Sequence, residues 1–424
     1  MADGTPGGPA DAAPPTMHVT SSGVVAPAGL VNVGNQADGT HLVFVDSTPG
    51  ANGDLVIFRV GDNTATLDTY VSTDHGATWQ RYVVSPTNTS GINDMGACQD
   101  SVTHAFHVSW LDTSVADQYM RLVPTHTGGD ITGFTIATSF AFFDEGADSP
   151  GPRDLAEVID GAGNHRLLFT GTGRFSGNVG LDKLAVTSLA AGLAPASMND
   201  WGPATGGAGS DDQLLPNNYT TTDTTSTFMV SASSNVASAR SGAVVVVAGF
   251  PVDQKLLAWT VTPAGDAFTV GAAQTLSTAF GAGTGARADA SLSVASAPSG
   301  EVWIAYSENT KSPAPGVHVA KLDPSGAIEL DAAPQPTTSA AVRHAVIATD
   351  ASSRPAVLFA DGSGAILGTL LWDGAWLATE VVDERSTPDA AWSISTPWGS
   401  GDAFGYYRDA GSANPTTFSQ IEWQ

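Results

Sequence analysis

The chain has 424 residues and a net charge of −26, with charged residues making only 14% of it. So acidic a chain excludes nucleic acid and anionic membrane surfaces as partners, because the attraction that neutralises phosphates would have the wrong sign. Its one cysteine, Cys98, excludes an intrachain disulfide, and no stretch is apolar for long enough to insert into a membrane as a helix.

Met1–Thr16 (MADGTPGGPADAAPPT) is low in complexity and is expected to be a flexible tether, residues 1–16. No signal peptide is read in it. Its style resembles the linkers that follow the export signal in bacterial surface proteins, which implies an extracellular or cell-surface site. The rival is an intact chain, such as a virion component, whose arm engages a protein assembly. From residue 17 onward Gly, Pro, Asn and Asp punctuate short β-branched runs, and long helical patterns are missing. That mixture predicts an all-β fold.

One unit repeats along residues 17–424: a strand, a short turn, a strongly apolar strand, a loop and two further strands. The second strand marks it best, at Asp54, His104, His165, Ala243, Glu301, Arg354 and Asp402, with successive starts 48 to 78 residues apart. Self-similarity at such a period is the sign of a repeat fold. The units start near residues 41, 94, 153, 228, 289, 343 and 391. Seven four-stranded antiparallel sheets set radially make a β-propeller. The seventh unit ends after its third strand, and residues 17–34 are expected to supply the missing outer strand and close the ring. Gly202–Thr227, a long polar insertion after the third unit, leaves six or eight blades open as alternatives.

In the first unit, between its third and fourth strands, stands Ser72-Thr73-Asp74-His75-Gly76-Ala77-Thr78-Trp79. Asp74 can accept amide hydrogens within its own turn, Gly76 supplies an unusual backbone angle, and Trp79 covers the turn with an apolar face. Ser72, Asp74, Gly76, Thr78 and Trp79 together resemble the Asp-box of the sialidase-like (BNR-repeat) β-propellers. The resemblance implies that architecture, with the motif as a folding device. It is carried by one unit, and the other six lack a recognisable copy.

Loops entering the first strands and leaving the second strands would converge at one face of such a ring, where function usually sits. Ligand-contacting candidates there are Arg153, Asp154, Arg174, Arg287, Asp289, Arg343, His344, Arg408, Trp110 and Trp392. The plainer reading of the recurrent Asp and Arg is turn-capping and pairing. Guanidinium forks suit carboxylates and hydroxyls, and an indole face suits the C–H face of a sugar. The resemblance to sialidases also implies a tyrosine nucleophile with its glutamate and an acidic proton donor. Tyr306 with Glu308, or Tyr407, and Asp94 are the residues here that match those types. The family's early Arg-Ile-Pro signature is absent. His104 and His107, three apart on an apparent strand, would face opposite ways and share no metal. Cys98 reads as buried and inert.

The reading is a carbohydrate-recognising propeller whose partner is a glycan or polysaccharide, with catalysis unassigned. A sialidase-type glycosidase, a polysaccharide lyase and a structural component of an assembly stay open. No cofactor is required, and calcium is the cation that Asp-rich loops would suit.

Overall fold

The computed structural model describes residues 16–26, 41–60, 67–84, 92–100, 102–112, 117–143, 155–159, 165–170, 185–190, 229–234, 243–250, 253–264, 267–281, 291–308, 316–323, 327–328, 343–350, 352–360, 366–372, 374–383, 392–395, 403–408 and 416–423. Among them every regular element is a β-strand, and the strands form seven antiparallel sheets.

The first sheet holds His41–Val45, Leu55–Val60, Leu67–Ser72 and Gln80–Val83. The second holds Ile92–Gln99, Phe106–Asp112, Asp117–Thr127 and Asp130–Phe143. The third holds Leu155–Ile159, His165–Thr170 and Ala185–Ala190. In the fourth, Met229–Ser234, Val244–Phe250 and Lys255–Ala264 are followed by Ala267–Val270 and Gln274–Ser277, which share the free edge of the third strand. The fifth holds Leu292–Ser296, Val302–Glu308 and Gly316–Leu322. The sixth holds Arg343–Thr349, Pro355–Ala360 and Ile366–Trp372, with Ala375–Trp376 and Glu380–Asp383 on its outer edge. Trp392–Ser395, Ala403–Arg408 and Thr416–Trp423 make the seventh, and Met17–Ala26 joins it as the outer strand, antiparallel to Thr416–Trp423.

The first strands touch in cyclic order, each sheet's against the next and the seventh's against the first's. Those of the fifth and sixth sheets run in the same direction. Between the fifth and sixth sheets, Ser291 Oγ accepts from the Ala345 amide, Ser293 Oγ accepts from the Ile347 amide, and the Thr349 hydroxyl donates to the Ser296 carbonyl. Short serines let two backbones come close where a branched side chain would hold them apart. The molecule is thus a β-propeller, with first strands inside and outer strands at the rim.

In the first, second, fourth, fifth and sixth sheets the second strands lie between neighbouring sheets and are covered on both faces. Val244–Phe250 is buried along its whole length, which explains its unbroken apolar sequence. Between the first and second sheets, Phe44, Phe58, Phe106 and Phe134 meet edge to face at centroid separations of 5.5 to 6.3 Å. Fully buried Trp110 and Met120 complete that core.

One local expectation changes. His104 does not start the second strand of its sheet; it occupies the preceding turn with φ 55°, its amide bonded to the Asp100 carbonyl, and the strand begins at Phe106. On the outer edge of the sixth sheet, Ala375–Trp376 pairs with one end of Ile366–Trp372 and Glu380–Asp383 with the other; between them the Leu377 amide donates to the Leu370 carbonyl and its carbonyl accepts from the Thr369 hydroxyl.

Candidate functional site

At one end of the ring the first strands begin and the second strands finish. Register places Trp392 opposite Arg408 and Ser393 opposite Tyr407 in the seventh sheet. Arg343 stands opposite Ala360 in the sixth, where an irregularity between Arg343 and Val346 takes in His344. Asp94 stands opposite Leu111 in the second. The first strands of the sixth and seventh sheets are neighbours, so Arg343 and Trp392 hold equivalent positions at the start of adjoining inner strands, and Arg408 ends the second strand opposite Trp392. Arg153, Asp154, Arg174, Arg287, Asp289 and the insertion Gly202–Thr227 lie outside the described residues.

Glu308 closes the second strand of the fifth sheet at the same end. One of its carboxylate oxygens accepts from the Ser277 hydroxyl, and the other lies 3.3 Å from His318 Nε2. The chain leaving the fourth sheet wraps over this corner. The Gly281 amide donates to the Ser307 carbonyl at 3.0 Å, and the Phe280 amide to the Gln254 carbonyl at 3.0 Å. Phe280 is fully buried against the backbone of Gly249, where a Cβ would stand 2.3 Å from its ring. The arrangement yields a largely buried carboxylate held between a serine hydroxyl and an imidazole. It is a junction between two sheets, with groups drawn from both.

Two candidates sit elsewhere than expected. Tyr306 shares a strand face with Glu308 but is only 2% exposed, within an apolar cluster with Val302, Ile304 and Leu322. Its ring stacks on His318 at 5.7 Å. A phenol so enclosed is inter-sheet packing, and the nucleophile reading loses its access to substrate. Trp110 is fully buried between the first and second sheets and is no rim platform. In both cases a second strand is covered on both faces, so its large aromatics turn inward.

No protein-family model matches the sequence, and no curated protein matches it either. The fold is similar to solved structures. With the lectin BP39L from Burkholderia pseudomallei the TM-score is 0.58 at 12% identity, covering 93% of this chain and 94% of that one. With an alpha-L-arabinanase from Penicillium chrysogenum, complexed with arabinobiose, the TM-score is 0.48 at 11% identity, covering 96% and 98%. With the alpha-L-arabinofuranosidase Arb93A from Fusarium graminearum it is 0.44 at 12% identity, covering 95% and 98%. The first of these likenesses is one of fold.

The opposite end of the ring carries a different chemistry. An aspartate follows the first strand in three described sheets, and each closes its own turn. Asp46 accepts from the Thr48 amide and hydroxyl at 3.0 and 2.6 Å, Asp100 from the Val102 and Thr103 amides at 2.7 and 2.9 Å, and Asp350 from the Ser352 and Arg354 amides at 2.9 and 2.8 Å. Arg354 also forks onto Asp350, with Nε at 2.6 Å. Asp46 further binds Gln99 Nε2 at 2.7 Å and His126 Nε2 at 2.6 Å, joining the first sheet to the second. Burial alone would raise the Asp46 carboxyl; the bonds from Thr48, His126 and Gln99 outweigh it and hold the group below its ordinary value. The recurring pieces Val45-Asp46-Ser47, Gln99-Asp100-Ser101 and Thr349-Asp350-Ala351 carried this signal in the sequence. Sequence reasoning placed the aspartate–arginine register at the other end. Among the described residues, no three His, Cys, Asp or Glu side chains group as metal ligands.

The Ser72–Trp79 segment joins the third and fourth strands of the first sheet, also at this end. Asp74 Oδ1 accepts from the Thr78 amide and the Ser72 hydroxyl, both at 2.8 Å, and Oδ2 from the Thr78 hydroxyl at 2.6 Å. Ser72 Oγ in turn accepts from the Gly76 amide at 2.7 Å. His75 and Gly76 take φ values of 57° and 88°, the tight bend that this bonding demands. Trp79 Nε1 donates to the Gly76 carbonyl at 3.0 Å. The partial burial of Asp74 works against its charge, and the Thr78 and Ser72 bonds prevail, so its carboxyl too lies below the ordinary range.

Proposed function

We propose that this chain is a seven-bladed propeller of sialidase-like kind that binds carbohydrate, displayed outside the cell or on a virion. The observation that carries the reading is the rim of the two adjoining sheets that begin with Arg343 and Trp392, where Arg408 stands opposite Trp392. Guanidinium groups and an indole are the residue types that grip the hydroxyls or carboxylate of a sugar and cover its apolar face. The fold likeness to a lectin supports the reading. The Ser72–Trp79 turn supports the sialidase-like kinship through its sequence form.

Binding without chemistry is favoured over hydrolysis by one observation: Tyr306, the tyrosine paired in sequence with a glutamate, is enclosed in the core. The test is a glycan array, read alongside a panel of fluorogenic glycosides and with a chelator arm for calcium. Binding of a defined glycan class, lost in Arg343→Ala/Arg408→Ala, is the expected result. Turnover of a fluorogenic sugar would replace it with the glycosidase reading. Silence in both assays would leave the structural role.

A further inference from the structure

The edge of Thr416–Trp423 that faces away from its own sheet is a slot for an extended strand. Met17–Ala26 fills it through eight register pairs, running from Met17 opposite Trp423 to Ala26 opposite Thr416. The slot has a gate. Gly23 lies opposite Phe418, and a Cβ there would stand 2.1 Å from the Gly76 carbonyl oxygen and 2.7 Å from that of Ala77. Both carbonyls belong to the Ser72–Trp79 turn of the first sheet. That turn is itself pressed onto Phe418: a Cβ on Gly76 would stand 2.4 Å from the ring, and Trp79 meets the ring edge-on at 5.4 Å. The incoming strand is therefore read by its backbone and by the absence of a side chain at one position. Its neighbour Val24 is more than half exposed.

We propose that this slot accepts the Met17–Ala26 strand of a second copy of the chain, giving a reciprocally strand-exchanged dimer. Three observations carry the choice of partner. The slot's gate is matched by Gly23, which every copy presents. Fourteen residues, 27–40, separate the strand from the first sheet in sequence, and a fully extended chain of that length spans at most roughly 50 Å. Exchange between identical slots closes on itself as a twofold pair, so it makes dimers rather than open filaments. Since the same bonds form within one copy or between two, the balance is set by concentration and by the linker. The inference does not rest on the carbohydrate reading.

The test uses full-length chains and the register pair Val24–Thr417. The double variant Val24→Cys/Thr417→Cys, oxidised in dilute solution, is expected to form an intramolecular 24–417 disulfide. Failure to form it would remove the strand from the slot and the proposal with it. Two single variants, Val24→Cys on a size-tagged chain and Thr417→Cys on an untagged one, are then mixed at high concentration and oxidised. The expected product is a tagged–untagged dimer whose cross-link maps to 24–417 by mass spectrometry. Adding Gly23→Val to the Val24→Cys chain is expected to lower that yield about tenfold or more, the steric cost of overpacking read as a population. An intramolecular disulfide that forms in the double variant, with no 24–417 link between copies in the mixture, overturns the proposal. So does a cross-link indifferent to Gly23→Val.

Discussion

The junction between the first two sheets and the seam between the seventh sheet and the first solve the same problem by different means. At the junction, four phenylalanines interlock edge to face around Trp110 and Met120, and Asp46 ties the turns together through Gln99 and His126. At the seam, Phe418 reaches from the seventh sheet into the core of the first, among Leu55, Ile57 and Tyr70. A hydrogen-bonded turn covers it, and a glycine-gated strand finishes the sheet. The junction is held by area removed from water, which is strong and indifferent to detail. The seam is held by backbone bonding and fit, which specify one strand in one register.

The sharpest way to break this contrast is to delete bulk at each place. Phe106→Ala should cost about 3–5 kcal/mol, enough to unfold much of the protein at moderate urea. Phe418→Ala, equally buried, should cost a similar amount and in addition expose the N-terminal segment to protease before global unfolding. Equal protease patterns in the two variants would erase the distinction. Next in size is Asp46→Ala, which strands the donors of Thr48, Gln99 and His126 and should cost about 2–3 kcal/mol by urea titration. Asp74→Ala should cost about 1 kcal/mol, the usual worth of a side chain that caps backbone amides, and should loosen the N-terminal strand selectively in hydrogen exchange.

The acid limb of stability separates the same two places more finely. Asp46 and Asp74 both have folded values below 3.8. The stability they contribute is fully present above that unfolded value and is lost as pH falls through the lowered folded one. Replacing either by Asn should therefore flatten the fall in melting temperature below about pH 4 and leave the slope at pH 6–8 unchanged. The smallest expected effect is at the opposite rim. Arg343→Ala/Arg408→Ala should change stability by no more than about 0.5 kcal/mol while removing glycan binding, which calorimetry with the array's best sugar would read.

Strand order was open to reading in the sequence because turn residues punctuate it and because the second strands are continuous apolar runs, as in Val244–Phe250. The same continuity hid the site. On a strand covered on both faces, alternation no longer says which way a side chain points, so Trp110 and Tyr306 read as rim residues and prove to be core. His104 misled for another reason: only the backbone shows that it takes a left-handed turn conformation. The aspartates ending the first strands were visible as a repeated letter, but their role depends on which neighbouring amides the turn presents, and composition does not carry that. Cys98, read as buried from its type, is 5% exposed.

The pairing of Met17–Ala26 with Thr416–Trp423 has a consequence for synthesis. The first strand leaves the ribosome 390 residues ahead of its partner, counted from Ala26 to Thr416. At ordinary elongation rates that is a wait on the order of 20–80 s. Throughout it the earlier blades can assemble while the ring stands ajar. Nascent chains trailing one another on the same messenger would then pass at close range, each carrying a loose leading end.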